Sequence, residues 1–370
     1  MKIVLMAALL LVTGLAPNAA SAEPVVDCPM RDSPFSIESP LVDILLNASA
    51  KAAMEAATPE IVSTLPPPFL STQAPTFASI MTLRTLAENA NIPAAKMAEL
   101  DLALRAIAVT PADRIARCAR YDNDRPTFSL AAGKPRLLIF EKINGYHHGS
   151  SVEAARTALQ AMAQRKGWAI VVSDKGGVMI PSVLRQFDAV IWNNVSGDVL
   201  TLAQRAAFKS YIEQGGGFVA MHGSAGDPAT FWDWYVDTLI GARFAGHPMT
   251  PQFQDARVMV EGQGHPITAE LPGEWMMHDE WYSFTANPRA ADSTIIATLD
   301  ESSYEPGELA MGDHPIAWTR CVGKGRAFYS AIGHLPDTYA DPHYVTMLEN
   351  AVAWAASPSA ACRATLTPAE

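Results

Sequence analysis

The sequence predicts an α/β protein: a mostly parallel sheet with helices on both faces, preceded by a small helical module. Three observations carry this. From Arg136 onward short apolar runs alternate with longer amphipathic ones, the pattern of strands joined by crossover helices. Before residue 121 the chain is instead rich in alanine and leucine and broken by prolines, as expected of short helices. Finally, Gly215-Gly216-Gly217 runs into Phe218-Val219-Ala220-Met221 and then His222. That is a permissive turn, a short buried strand and an ionisable ring at the strand's end, where α/β folds place chemistry.

The elements follow in order. Lys2, the ten-residue apolar run Ile3 to Val12, and Ala20-Ser21-Ala22 before Glu23 have the three-part form of a secretory signal, residues 1–22, too short in its apolar run to span a bilayer. Export to the periplasm or medium is expected, with cleavage after Ala22; an intact Met1 on the mature protein would contradict it. Residues 23–133 form the helical module and its linker. Leu41, Ile44 and Leu45 open a helix, Ala48 to Ala57 continue it, and Pro66-Pro67-Pro68 end it. Phe77 to Glu88 reads as a second helix, and Pro93 introduces a third through Met97, Leu100 and Leu104. A last turn spans Pro111 to Cys118. Pro126 and Gly133 mark the linker. The main domain is expected over 134–356. It opens with strands at Arg136–Phe140, Ala169–Ser173, Asp188–Trp192 and Phe218–Met221, and with helices at Ser151–Lys166 and Leu202–Gln214. The strand ends near 141, 193 and 222 should share one rim. Further strands read at Arg257–Val260, Thr294–Leu299, Ile316–Trp318 and Ala327–Ala331, a closing helix at His343–Ala356, and a tail over 357–370.

Without residues 1–22 the chain keeps 26 basic against 38 acidic residues, a formal charge of −12, which argues against nucleic acid as a partner. No polybasic patch suggests a membrane surface, and the mature chain carries no expected span. A neutral or cationic small molecule meets no electrostatic obstacle, and self-association into a homo-oligomer is compatible with the sequence. Cys28, Cys118, Cys321 and Cys362 allow three pairings in an exported protein. Cys28–Cys118 and Cys321–Cys362 are favoured, because each brackets one region, and each bond would contribute roughly 2–4 kcal/mol.

Eight histidines lie close to glycine, proline or acids, positions that suggest loops: His147, His148, His222, His247, His265, His278, His314 and His334. Converging on one rim, several would make a site for acid–base work or, as neutral rings, hold a metal. Tyr146-His147-His148-Gly149-Ser150 precedes a helix whose free N–H groups could receive an oxygen-rich ligand, and Ser150 also reads as that helix's cap. His247 stands before Pro248 in a stiff loop. His278-Asp279-Glu280-Trp281-Tyr282 sets two carboxylates beside two rings. A carboxylate can act as base or orient a histidine, and rings can stack on a sugar face; a buried aromatic anchor beside a solvated acidic pair is the rival reading. Gly333-His334 repeats the strand-then-histidine arrangement of His222.

Together these segments resemble the trehalose-utilisation, or ThuA-like, family over about residues 134–356. The resemblance rests on the ordered motifs at 145–150, Ser196-Gly197-Asp198, Gly215 to His222, His247-Pro248, Asp279-Glu280-Trp281-Tyr282, Asn287-Pro288-Arg289 and Gly333-His334. It implies the fold of class I glutamine amidotransferases without their nucleophilic cysteine, His222 falling where that residue would stand, and so argues against amidotransfer. It implies instead a role in sugar metabolism. His147 departs from the arginine that relatives commonly carry, so the grip that arginine would have on an anionic or hydroxyl group is not implied here.

The first reading is thus an exported enzyme acting on a disaccharide, glycoside or keto-sugar. His148, His222, Glu280 and His334 would be its catalytic groups, and His147, Ser150, His247, Asp279, Trp281 and Tyr282 would bind substrate. The alternative is a non-catalytic periplasmic sugar-binding or scaffold protein. A two-carboxylate glycosidase ranks third, because Asp279 and Glu280 would point to opposite sides of a strand. A divalent metal is compatible with the histidines and Glu280, but no His-x-x-x-His spacing names a ligand set.

Overall fold

The computed structural model describes residues 24–225, 232–358 and 362; the expected signal at 1–22 and most of the expected tail lie outside them. Six helices come first: α1 (Leu41–Leu46), α2 (Ala48–Ala57), α3 (Pro59–Thr64), α4 (Leu83–Asn89), α5 (Ala94–Arg105) and α6 (Pro111–Cys118). They enclose a core of their own around Phe35, Leu41, Ile44, Met54 and Leu104. Sequence placed one helix over Phe77–Glu88. The chain instead makes a short turn at Phe77–Ser79 and restarts at α4, because Thr82 and Thr85 form a reciprocal cap that begins a new helix there. Cys28–Cys118 ties the chain entering this module to the end of α6.

The main domain follows as β1 (Arg136–Phe140), α7 (Ser150–Lys166), β2 (Ala169–Ser173), α8 (Pro181–Leu184), β3 (Ala189–Asn193), α9 (Leu202–Glu213), β4 (Gly217–Met221), β5 (Phe244–Gly246), β6 (Phe253–Val260), β7 (Glu274–Glu280), β8 (Ser283–Phe284), β9 (Thr294–Asp300), β10 (His314–Val322), β11 (Gly325–Ser330) and α10 (Pro342–Ala356). A π-helical turn at Trp234–Ile240 precedes β5. The large sheet has the order β2-β1-β3-β4-β11-β10-β9-β6-β7. Its first five strands are mutually parallel, and the rest extend it antiparallel. The expected α/β class holds, and β7 in this sheet and the short β5–β8 pair are the strands that the sequence did not predict.

Burial explains the parallel half. β3 and β4 are buried at every position, so they read as unbroken apolar runs rather than as alternation. Gly217 is required where α10 crosses β4: a Cβ there would come within 2.3 Å of the Ala355 carbonyl oxygen. The next residue, Phe218, points the other way and meets Phe208 of α9. Helices α10 and α9 therefore cover opposite faces. Cys321–Cys362 fastens the chain beyond α10 to β10, so both favoured cysteine pairings are present.

The module is bonded to the main domain. Leu202 donates its N–H to the Asp27 carbonyl (2.9 Å), Thr76 donates to the Asn144 carbonyl (3.0 Å), and Lys142 pairs with Asp122 at 2.6 Å. Among the described residues no helix is long and apolar enough to cross a membrane.

Candidate active site

The parallel strands β1, β3, β4 and β11 end on one rim, with Phe140 opposite Trp192, Asn193 opposite Met221, and Ser330 opposite Met221. His222 is the first residue past β4 and takes a left-handed φ of 40°, a conformation that costs a non-glycine residue on the order of 1 kcal/mol or more. Its surroundings hold it there. The ring nitrogen Nδ1 lies 2.7 Å from the Ala331 carbonyl, Tyr329 donates its hydroxyl to the His222 carbonyl at 2.9 Å, and Tyr282 stacks on the ring at 4.2 Å. His222 is fully buried.

Three further groups converge on it. His334 follows β11, with Nδ1 3.2 Å from Nε2 of His222. Glu280 ends β7, and its Oε2 lies 3.0 Å from Nδ1 of His334 and 3.5 Å from Nε2 of His222. Its other oxygen accepts from Nε2 of Gln252 at 2.5 Å and sits 3.3 Å from Nδ1 of His247. His148, just before α7, stands edge-on to both His222 and His334, 4.9 Å from each ring. It fits only because residue 223 is glycine, where a Cβ would fall 2.7 Å from the imidazole Cε1.

The hydrogen-bond chemistry orders the protons. A carbonyl can only accept, so Nδ1 of His222 carries hydrogen, and its Nε2 accepts when the ring is neutral and donates to Glu280 when the ring is protonated. A carboxylate likewise only accepts, so Nδ1 of His334 donates to Glu280. Burial pushes Glu280 up, but the hydrogen bonds and charge of His222 and His334 outweigh it and hold the carboxyl well below the usual range. Burial, then His222 and His334, drives His148 well below the ordinary histidine value, and its buried Nδ1 has no hydrogen-bond partner among the described residues.

The ring nitrogens of His148, His222 and His334 offer ligand atoms within 4.8 Å of one another. Three atoms, Nε2 of His222, Nδ1 of His334 and Oε2 of Glu280, make a triangle with edges of 3.0, 3.2 and 3.5 Å. Ligands ~2.0–2.1 Å from a tetrahedral cation are spaced about 3.3 Å apart. These are the residues that could hold a divalent ion, with the Ala331 carbonyl fixing the His222 ring from behind.

Above the cluster lies a cavity of about 360 Å³, toward the small end of the roughly 300–1,000 Å³ usual for ligand sites. Its polar end is His148, His247, Gln252, Glu280 and His334, and among the described residues no lysine or arginine lines it. A larger recess of about 670 Å³ beside α6 brings together no histidine among the described residues.

Residues 136–355 match the ThuA family, described as trehalose utilisation. The chain belongs to the ThuA family. A solved ThuA-like protein from Bacteroides uniformis is 27% identical, with a TM-score of 0.53 over 63% of this chain and 95% of that one. Another from Parabacteroides merdae is 18% identical, with a TM-score of 0.48 over 60% and 90%. No curated protein matches the chain.

Within the ThuA region the structure brings together His148, His222, Glu280 and His334, with His247 and Tyr282 beside them. The other expected binding residues are placed elsewhere. Asp279 and Trp281 are fully buried, because side chains on β7 alternate and these two share the core-facing parity of Trp275 and Met277. Trp281 donates its indole N–H to the Gln254 carbonyl at 2.9 Å, so it does not stack on a ligand. Asp279 accepts from the backbone of Gly333 (2.7 Å), His334 (3.1 Å) and Leu335 (3.1 Å) and from the Thr338 hydroxyl (3.0 Å). His147 and Ser150 are exposed and lie outside the cavity wall; Gly149, not Ser150, holds the cap position of α7, with no side-chain cap bond. Two histidines expected in loops are in strands. His278 pairs with Asp255 at the surface (3.0 Å), and His314 is buried between Glu301 (2.8 Å) and the Tyr282 carbonyl (2.9 Å). Tyr146 and Gln252 were missed. Tyr146 stands inside the 145–150 motif, whereas nothing around Gln252 sets it apart.

Proposed function

We propose that this ThuA-family chain is an exported enzyme that processes a disaccharide, glycoside or keto-sugar by proton transfer among His222, His334 and Glu280. One observation carries the reading: at the polar end of the cavity a Glu280 oxygen lies 3.0 Å from Nδ1 of His334, on the same wall, and 3.5 Å from Nε2 of the fully buried His222. His334, which lines the cavity, takes the substrate's proton at Nε2 as its Nδ1 proton passes to Nε2 of His222, 3.2 Å away, while Nδ1–H of His222 stays on the Ala331 carbonyl. Glu280 stabilises the imidazolium so formed, and His334, bonded to the same carboxylate, relays charge toward the cavity. Positioned acid–base groups of this kind contribute about 10²–10⁴ in rate.

Several features support sugar over other substrates. The family description is trehalose utilisation, the wall offers no permanent cation among the described residues to bind a phosphate, and Tyr282 presents a ring beside the histidines. All four cysteines are paired, which leaves no thiol nucleophile for amidotransfer and suits an oxidising compartment. Asp279, spent on backbone amides, is not the second carboxylate of a glycosidase.

A second reading is favoured by the 3.0–3.5 Å triangle and by the His148 Nδ1 that has no hydrogen-bond partner among the described residues: His148, His222, His334 and Glu280 would hold a divalent cation. Such an ion would polarise a sugar carbonyl or hydroxyl oxygen.

The deciding experiment incubates the mature protein and His222→Ala with disaccharides and their keto derivatives, with and without chelator, and follows products by mass spectrometry. Product from the wild type alone, indifferent to chelator, supports proton transfer; product abolished by chelator and restored by metal supports the second reading. Saturable binding without product would replace both with a binding protein.

A further inference from the structure

The far wall of the cavity is not built by the ThuA region. Phe69, Phe77, Ile80 and Met81 line it, and all four precede the matched residues 136–355. Phe69 and Phe77 lie face to face, 4.2 Å apart and 3° from parallel. Phe77 in turn meets Tyr146 at 5.0 Å, and Tyr146 stands 4.6 Å from His148. A run of flat rings thus leads from the helical module to the histidine cluster.

The wall is fixed in place. Ile80 is buried against Gly145, where a Cβ would come within 2.4 Å of its Cγ2. Thr76 donates its hydroxyl to the Ser71 carbonyl at 2.9 Å and accepts from the Ala78 N–H at 3.2 Å, which holds the loop carrying both phenylalanines. Yet Phe69, Phe77 and Met81 remain only half-buried. Their uncovered surface faces the same space as the buried carboxylate and the histidines.

We propose that Phe69, Phe77, Ile80 and Met81 form a subsite for a flat apolar group of the ligand, so that the preferred substrates are glycosides with an aromatic aglycone. This rests on the sugar reading above. The sugar end lies on Glu280 and His334, where hydroxyls meet hydrogen-bonding groups, and the aglycone ring lies along the phenylalanine wall. The module's role is then selection of the aglycone, and ThuA-family chains without it lack this preference.

The test measures dissociation constants by calorimetry for methyl and phenyl glucosides and galactosides, both anomers, and for phenol as a sugar-free probe, on the full mature chain and on Phe77→Ala and Phe77→Leu. Leucine keeps apolar volume and the module's packing while removing the ring. The expected result is a phenyl glycoside binding about tenfold more tightly than its methyl counterpart, a ratio that falls below about threefold in both variants. Equal affinities in the wild type for every sugar that binds, or a ratio unchanged in both variants, overturn the subsite and leave the sugar reading standing. Phenol binding that depends on Phe77 with no glycoside bound keeps the subsite and removes the sugar reading. No binding of any probe overturns the proposal.

Discussion

Glu280 and His334 are joined by side chain and, through the neighbouring Asp279, by backbone. Oε2 of Glu280 lies 3.0 Å from Nδ1 of His334, while Asp279 accepts the His334 N–H at 3.1 Å. Two adjacent carboxylates on opposite sides of β7 thus divide the work, one holding the loop after β11 and the other meeting the ring that this loop carries. The Asp279 carboxyl is fully buried; burial pushes its pKa up, against His222 and the backbone N–H groups that favour the ion.

Asp279→Ala should therefore be among the most destabilising single changes in the chain. It strands the buried N–H groups of Gly333, His334 and Leu335 and the Thr338 hydroxyl, each costing about 1–3 kcal/mol when unsatisfied. With partial relaxation the loss should be on the order of 3–5 kcal/mol in urea unfolding. A change below about 1 kcal/mol would mean that the 333–335 loop holds its shape without the carboxylate.

Glu280→Gln should behave oppositely, sparing the fold and removing function. The amide keeps the shape and one acceptor for His334 but cannot stabilise an imidazolium, so turnover should fall by about 10²–10⁴ with the melting temperature within a few degrees of wild type. A loss under roughly tenfold would take Glu280 out of the acid–base role.

How much of this was legible in the sequence depends on which forces wrote it. The strands β1, β3 and β4 read directly because they are buried on both faces, and His222 was visible as the ring after a glycine-led strand. β7 was not. Its alternation is present, with Trp275, Met277 and Asp279 inward and Met276 and His278 outward, but His278 beside its acids read as a loop position. Trp281 beside two carboxylates suggested a sugar platform, whereas its indole is satisfied inside the core. Phe69 and Phe77 carried no signal at all, because their place in the cavity comes from the module's packing on Gly145 and Asn144, a relationship of distant segments that no local pattern encodes.

Gly223→Ala tests the approach of His148 to the cluster. The added Cβ would sit 2.7 Å from Cε1 and 3.0 Å from Nδ1 of that ring, so the imidazole must move. Overpacking of this kind typically costs about 1–3 kcal/mol, which leaves a folded protein. Turnover, or cation affinity under the second reading, should drop more than about tenfold, since a displacement near 1 Å is enough for that. Unchanged activity would show that His148 only fills space.

His265 offers a pH dependence away from the site. It is buried and packs on Trp354 at 5.2 Å. Its Nδ1 accepts the Ile267 N–H at 3.2 Å, so the hydrogen sits on Nε2, which has no partner among the described residues. Burial pushes its pKa down to about 4, against about 6.5 in the unfolded chain. Between these values the unfolded state binds the proton and the native state does not, so stability is complete above about pH 6.5 and declines as pH falls toward 4. At about 1.4 kcal/mol per pH unit, going from pH 7 to pH 5 should cost the wild type roughly 2 kcal/mol. His265→Asn cannot titrate there, so its own loss over the same interval should be smaller by about that amount, which subtracts His148 and every other group common to both proteins. Parallel losses in the two proteins, measured by urea unfolding at each pH, would place the acid sensitivity elsewhere.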